Sequence, residues 1–285
     1  MIKNIIKTSI IVCLSIILCG CGILEVIEKE LLANKTTFAD ESSNFTLVQN
    51  IISKELNINV GSGIYAYQGY LYLILQNRSN TGITPLYDSN GKPLKANDTQ
   101  NINFSLNKIS DIDDYLAVYE EESTGVLYLA SLNTSKLGIT ALFNEDKTIM
   151  TVKDAPDSVV FKGVKQLFKK YNTTVTIMED TNTGILYIVM DGMDMDFSPI
   201  FDDAYQPINK DDYLKNPKFE LKLDQMIKTN DTAIFNETRG CRYLVTQNQK
   251  TVSKYIGYGY YRYCTTHKFF EKLAISIIYP EDYDG

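Results

Sequence analysis

The residues whose types and spacing invite chemistry are three clustered aspartates, one histidine, a tyrosine-rich run and two late cysteines. Met190-Asp191-Gly192-Met193-Asp194-Met195-Asp196 sets three carboxylates at short intervals around a glycine. Such a loop could hold Ca²⁺ through oxygen ligands. A hard cation wants six or more oxygens, however, and neither the EF-hand spacing nor a closing bidentate Glu is present. The segment therefore reads as a solvated acidic hairpin loop, with Asp191, Asp194 and Asp196 a Ca²⁺ candidate short of ligands. His267 is the single histidine, so a Ser-His-Asp triad would have to use it. It sits in a polar stretch, Cys264-Thr265-Thr266-His267-Lys268, and no Gly-x-Ser-x-Gly elbow accompanies it. Zinc held by Cys241, Cys264 and His267 would lack a fourth ligand.

Tyr255, Tyr258, Tyr260, Tyr261, Arg262 and Tyr263 fall within nine residues. Tyrosines beside an arginine can make a recognition face, since aromatics and Arg dominate interface hot spots, and such rings can also stack on sugars. The competing reading is a Gly-kinked β-strand whose rings fill the core. Gly257-Tyr258-Gly259 does not continue into a dinucleotide fingerprint. These residues point to no metal, no cofactor and no catalytic constellation.

The first residues carry Lys3 and Lys7 and no acid, and Thr8 to Leu18 are uncharged and apolar. That is the arrangement of a secretory signal. The uncharged stretch between Lys7 and Glu25, 17 residues, is short for a membrane span. Leu18-Cys19-Gly20-Cys21 resembles the bacterial lipobox. The resemblance implies cleavage before Cys21, lipidation of its thiol and a membrane-anchored body outside the cytoplasm. Several acyl chains anchor stably, since each buried methylene adds about 0.8 kcal/mol. Cys13 and Cys19 would leave with residues 1–20. Cys241 and Cys264 then remain, either as one disulfide or as two buried thiols.

Removing Lys3 and Lys7 leaves 26 basic residues against 35 acidic ones, a net charge of −9. Nucleic-acid binders need a basic footprint, and anionic lipid surfaces attract basic segments; neither fits. With 20 Tyr, 12 Phe, no Trp and many Ile, Val and Thr, the composition leans toward strands.

The elements that must position these residues repeat. Gly69-Tyr70-Leu71-Tyr72-Leu73 is followed by Gly82-Ile83-Thr84-Pro85-Leu86-Tyr87-Asp88. Gly125-Val126-Leu127-Tyr128-Leu129 is followed by Gly138-Ile139-Thr140-Ala141-Leu142-Phe143-Asn144. Gly184-Ile185-Leu186-Tyr187-Ile188 is followed by Ser198-Pro199-Ile200-Phe201-Asp202, one residue early, with Asp196-Phe197 where Gly-Ile is expected. Gly240-Cys241-Arg242-Tyr243-Leu244-Val245 is a fourth copy that keeps only the first block. Phe45, Phe104, Phe161 and Phe219 open the units. The pattern resembles a short bacterial module of uncharacterised function, roughly Thr-Gly-Val-x-Tyr-Leu then Gly-Leu-Thr-Pro-Leu-x-Asp, over about half of the mature chain. The resemblance implies a compact domain and supplies no catalytic residues.

Each unit reads as strands punctuated by a glycine turn, as in a hairpin. Around Val159 to Tyr171 and Phe219 to Lys228 there are enough helix formers to expect helix. The organisation expected is a signal at 1–20, an anchor and tether at 21–44, and units at 45–103, 104–160, 161–218 and 219–285. The expected fold is mostly β, four related units standing as beads or closing like a propeller. The expected function is a non-enzymatic envelope lipoprotein that presents its repeat surface to a protein or glycan partner. The alternatives are an envelope hydrolase using dispersed carboxylates, or a structural surface lipoprotein.

Overall fold

The runs on either side of each repeated glycine form antiparallel meanders of four strands. The computed structural model describes residues 45–51, 62–76, 81–97, 104–132, 136–156, 158–170, 173–191, 195–227, 232–251 and 268–283. The first sheet holds β1 (Thr46–Asn50), β2 (Gly63–Tyr67), β3 (Tyr70–Gln76) and β4 (Thr81–Pro85). The second holds β5 (Leu106–Asp111), β6 (Ala117–Glu121), β7 (Leu127–Leu132) and β8 (Leu137–Ala141). β9 (Phe161–Lys170), β10 (Thr173–Asp180), β11 (Leu186–Asp191) and β12 (Met195–Pro199) make the third. β13 (Leu221–Ile227), β14 (Thr232–Glu237), β15 (Arg242–Thr251) and β16 (Lys268–Ile278) make the fourth. One short helix, α1 (Lys210–Lys215), follows the third sheet. The last strand of each sheet, β4, β8, β12 or β16, packs against its counterparts at the centre. The four sheets are the blades of a four-bladed β-propeller.

The helices expected over Val159 to Tyr171 and Phe219 to Lys228 are strands instead, β9 and β13. Both are the outermost strands of their blades. Each pairs along one edge with the next strand, and that tertiary pairing overrides a weak local preference. Each outermost strand also carries a register shift against its neighbour. Bulges of this kind twist an edge away from further pairing.

The repeated glycine has one local job in all four units. Gly69, Gly125, Gly184 and Gly240 have φ of 82°, 72°, 72° and 107°, which a side chain disfavours. In the first unit Gln68 also has positive φ, 49°, so Gln68-Gly69 is the two-residue primed turn that matches strand twist. The other three turns are longer, and a buried carboxylate organises each. Glu121 accepts from Thr124 N at 2.9 Å and from both the Ser123 and Thr124 hydroxyls at 2.7 Å. Asp180 accepts from Asn182 N at 3.0 Å and Glu237 from Arg239 N at 2.8 Å.

The second repeated block builds a return over the inner strand. Leu86 N donates to Leu71 O, Leu94 N to Leu86 O, and Leu71 N to Leu94 O. Leu142, Leu127 and Met150 repeat the triangle in the second blade, and Ile200, Leu186 and Ile208 in the third. The fourth unit also keeps a second block, contrary to the reading from sequence. Register with Tyr243 puts Ser276-Ile277-Ile278-Tyr279 where Thr84-Pro85-Leu86-Tyr87 sits against Tyr72. The long β15 and β16 separate it from its glycine, and a fixed offset could not find it.

Among the described residues each blade is built from consecutive strands, and no shared strand sews the ring shut. Tyrosine does so. The Tyr72 hydroxyl accepts from Tyr279 N of the fourth blade at 3.1 Å, and that of Tyr243 accepts from Phe201 N of the third at 3.1 Å. Tyr128 faces the Tyr87 backbone of the preceding blade, and Tyr187 faces that of Phe143 with its hydroxyl buried and without a hydrogen-bond partner. All four tyrosines are fully buried. Burial pushes each phenol well above its ordinary pKa. Tyr72→Phe should strand the Tyr279 amide and cost about 1–3 kcal/mol, the penalty for an unpaired buried donor. Tyr187→Phe should cost less. Chemical denaturation of the two variants checks this, and equal, near-zero losses would sink the clasp.

Candidate functional site

The centre of the ring is too narrow for ordinary side chains. The inner-strand position next to the axis is Gly82 in the first blade, Gly138 in the second and Asp196 in the third. A Cβ on Gly82 would lie 3.0 Å from Gly138 Cα, and one on Gly138 would lie 2.3 Å from Met195 O. Asp196 is fully buried there. Its Oδ1 accepts from Ile139 N at 3.2 Å and its Oδ2 from Ile275 N at 2.8 Å. One carboxylate thus ties the second, third and fourth blades.

The same inner strands end in an aromatic ring at one mouth of the axis. Tyr87, Phe143, Phe201 and Tyr279 come one from each blade. Tyr87 meets Phe143 edge-on at 5.9 Å and 86°, Phe143 meets Phe201 at 6.0 Å and 88°, and Tyr87 meets Tyr279 at 6.3 Å and 87°. Edge-to-face pairs contribute about 0.5–1.5 kcal/mol each beyond their buried area. The Tyr87 and Tyr279 hydroxyls are 3.0 Å apart.

Three loops rise around this floor, one from each of the first three blades. Asp88 accepts from Asn90 N at 2.8 Å and Lys92 N at 2.9 Å. Asp202 accepts from Ala204 N at 3.0 Å and Gln206 N at 2.9 Å. Asp146 accepts from Thr148 N at 3.0 Å, and hydrogen bonds from the Thr148 hydroxyl and amide hold its carboxyl below the usual range. Gly91, Lys147 and Tyr205 occupy the positive-φ position of these loops, at 83°, 71° and 58°. Tyr283 closes the fourth side. Its ring lies 4.9 Å from that of Tyr279 and 5.4 Å from that of Tyr205, and the Tyr70 hydroxyl donates to its carbonyl. Burial pushes the Tyr205 phenol up to about 12.

Between floor and loops is a cavity of about 200 Å³. Its walls are the four-ring floor, Tyr205 and Tyr283, and its rim carries Asn90, Lys92, Asp146, Lys147, Thr148 and Gln206. A larger hollow of about 470 Å³ lies between the third and fourth blades, lined by Lys147, Asp202, Asp203, Asp212, Asn216 and Arg239 among others. Lys147 belongs to both. Its ammonium meets Asp212 of α1 at 2.8 Å, and Lys215 meets the same carboxylate at 3.0 Å.

Hydrogen bonds from Lys147 and then Lys215 hold the Asp212 carboxyl below its ordinary value of 3.8. A carboxylate with a depressed folded-state pKa stabilises the fold above its unfolded value, and that stability is lost as pH falls through the folded one. Asp212→Asn should therefore lower stability at neutral pH, by up to about 1 kcal/mol for a partly exposed pair. The gap between variant and parent should close in melts taken progressively below pH 3.8. A gap that stays constant with pH would show that the ion pair is not its cause.

Of the candidate site residues singled out from sequence, Asp191, Asp196 and Cys241 fall within the described part of the chain. Cys21, Asp194, Tyr255, Tyr258, Tyr260, Tyr261, Arg262, Tyr263, Cys264 and His267 lie outside the described residues. Asp191 and Asp196 occupy adjacent ladder rungs, whose side chains take opposite faces. Asp191 is half exposed and paired with Lys136 at 2.6 Å, whereas Asp196 is buried at the axis rather than solvated in an acidic loop. Among the described residues no group of three or more His, Cys, Asp or Glu side chains is placed to hold a metal. Cys241 is a free, buried thiol that donates to Asp202 O, and burial pushes its pKa up.

The axial pocket itself was not singled out from sequence. Its signal was present in the aromatic that follows the aliphatic of each second block, Tyr87, Phe143 and Phe201. No protein-family model, no curated protein and no solved structure matches this chain.

Proposed function

We propose that this chain is a lipid-anchored envelope protein whose propeller is a non-enzymatic binding module for a protein or glycan partner. The observation that carries the reading is the axial cavity. It is concave, floored with aromatic rings and rimmed by polar side chains on loops already braced by Asp88, Asp146 and Asp202. A preformed site of this kind spends little ordering entropy on its ligand. The lipobox-like Leu18-Cys19-Gly20-Cys21 supports the anchor. The buried carboxylates Glu121, Asp180, Asp196 and Glu237 have oxygens engaged by turn or backbone donors. Engagement of that kind favours a structural use over a hydrolytic one.

The test is cross-linking in intact cells with the parent and a Cys21→Ala variant, joined to membrane fractionation and mass spectrometry. The parent should sit in the membrane fraction and capture a defined partner, and the variant should lose the anchor and the partner. A soluble parent would overturn the anchoring. A membrane-bound parent that captures nothing would overturn the binding role.

A further inference from the structure

We infer that the axial pocket takes one pyranose ring of a glycan, its C–H face laid on Tyr205 and Tyr283 and its hydroxyls met by Asn90, Asp146 and Gln206. This rests on the reading of the propeller as a binding module and gives that module a ligand class. The pocket has two chemistries at once. Its floor and one wall are aromatic, and its rim is polar and close to neutral: Lys92 and Asp146 carry opposite charges there, and the Lys147 ammonium is taken by Asp212. A sugar ring has the same division, an apolar C–H face and a girdle of hydroxyls.

Other ligand classes fit less well. A quaternary ammonium would use the ring faces but would leave the hydrogen-bonding groups of Asn90, Thr148 and Gln206 at the rim without a partner. A fully apolar ligand would leave the rim unsatisfied. A peptide adding as a strand needs an open sheet edge, and the strands that end at this floor are the innermost of their blades. Volume points the same way. About 200 Å³ is below the roughly 300–1,000 Å³ of pockets for drug-sized ligands, and suits a single ring. Hydrogen-bonding capacity remains at the rim: a carboxylate offers about four acceptor sites, and Thr148 takes its two bonds to Asp146 on Oδ1. The larger hollow that shares Lys147 gives the next sugar unit a path toward α1 and Arg239.

The test is saturation-transfer NMR on the full-length chain in a sugar-free detergent, with cellotriose, chitotriose, maltotriose and tetramethylammonium as separate probes. At least one trisaccharide should bind, with the strongest transfer to the ring C–H protons of a single unit. Tyr205→Ala should weaken that binding roughly tenfold, the scale of a lost aromatic contact. Gln206→Ala, on the exposed rim, should weaken it several-fold and keeps the question answerable if Tyr205→Ala melts. Transfer to none of the three sugars, binding unchanged in both variants, or saturable binding of tetramethylammonium alone would overturn the inference. A partner cross-linked in cells together with no sugar binding would reject the glycan site and leave the binding module standing; loss of both would reject the two together.

Discussion

Asp196→Ala should be the most damaging single side-chain truncation at the hub. It removes both acceptors from two buried amides, Ile139 N and Ile275 N, which lie on different blades. A buried donor left unpaired costs about 1–3 kcal/mol, so two together cost about 2–6 kcal/mol. Total stabilities of about 5–15 kcal/mol are usual for folded domains, and such a loss is a large fraction of that. Asp196→Asn should recover little, since its amide nitrogen would face one of the two N–H groups. Asp191→Ala is the control. That carboxylate is half exposed in a surface pair, and its loss should stay within about 1 kcal/mol. Urea titration of the three variants decides the matter. An Asp196→Ala midpoint matching that of Asp191→Ala would remove the carboxylate from any role in holding the ring.

Gly138→Ala should be destabilising by about 3 kcal/mol or more, at the upper end for an overpacked core. The added methyl would stand 2.3 Å from Met195 O and 2.9 Å from Asp196 Cα. Both obstacles are backbone, so the inner strand of the next blade must move. Gly82→Ala meets its nearest atom at 3.0 Å and should cost less. Gly163 gives the opposite sign. It lies in β9, and an added Cβ has nothing within 4 Å and no unusual φ to relieve. Replacing a strand glycine by alanine there should be neutral or stabilise by up to about 1 kcal/mol, because the unfolded chain loses freedom. Thermal melts of the three alanine variants should rank Gly138 lowest and Gly163 highest. A Gly138→Ala protein that melts with the parent would mean that the second and third blades do not approach closely enough here to put a Cβ 2.3 Å from Met195 O.

Unequal parts of this molecule were legible beforehand. The glycine turns were readable because positive φ is a local demand that one residue type meets, and it recurs at Gly69, Gly125, Gly184 and Gly240. The strands beside those turns were readable from the repeated aliphatic and aromatic pattern. β9 and β13 were misread as helix, because their state depends on pairing with a neighbouring strand that local propensity does not register. The acid preceding each longer turn, Glu121, Asp180 or Glu237, went unnoticed. A lone acid in a polar stretch looks like surface until its burial is known.

The residues alone determined four strand-rich units in tandem, mostly β, with turns at known glycines and an acidic overall charge. Those are properties of local geometry and composition, and they need no distant contact. The tertiary structure decided that the units close into a ring, and closure changed what several residues mean. Asp196-Phe197 read as a lapse from Gly-Ile; at the axis, where Gly82 and Gly138 leave no room for side chains, that lapse supplies the carboxylate linking three blades. The repeated tyrosine read as strand composition; between blades the Tyr72 and Tyr243 hydroxyls cap the backbone of the neighbouring unit. Tyr87, Phe143, Phe201 and Tyr279 lie up to 192 residues apart in the chain, and only ring closure brings them to one mouth. Contacts across that separation depend on how rigid blades pack. A linear pattern carries the parts of such a site but not their meeting.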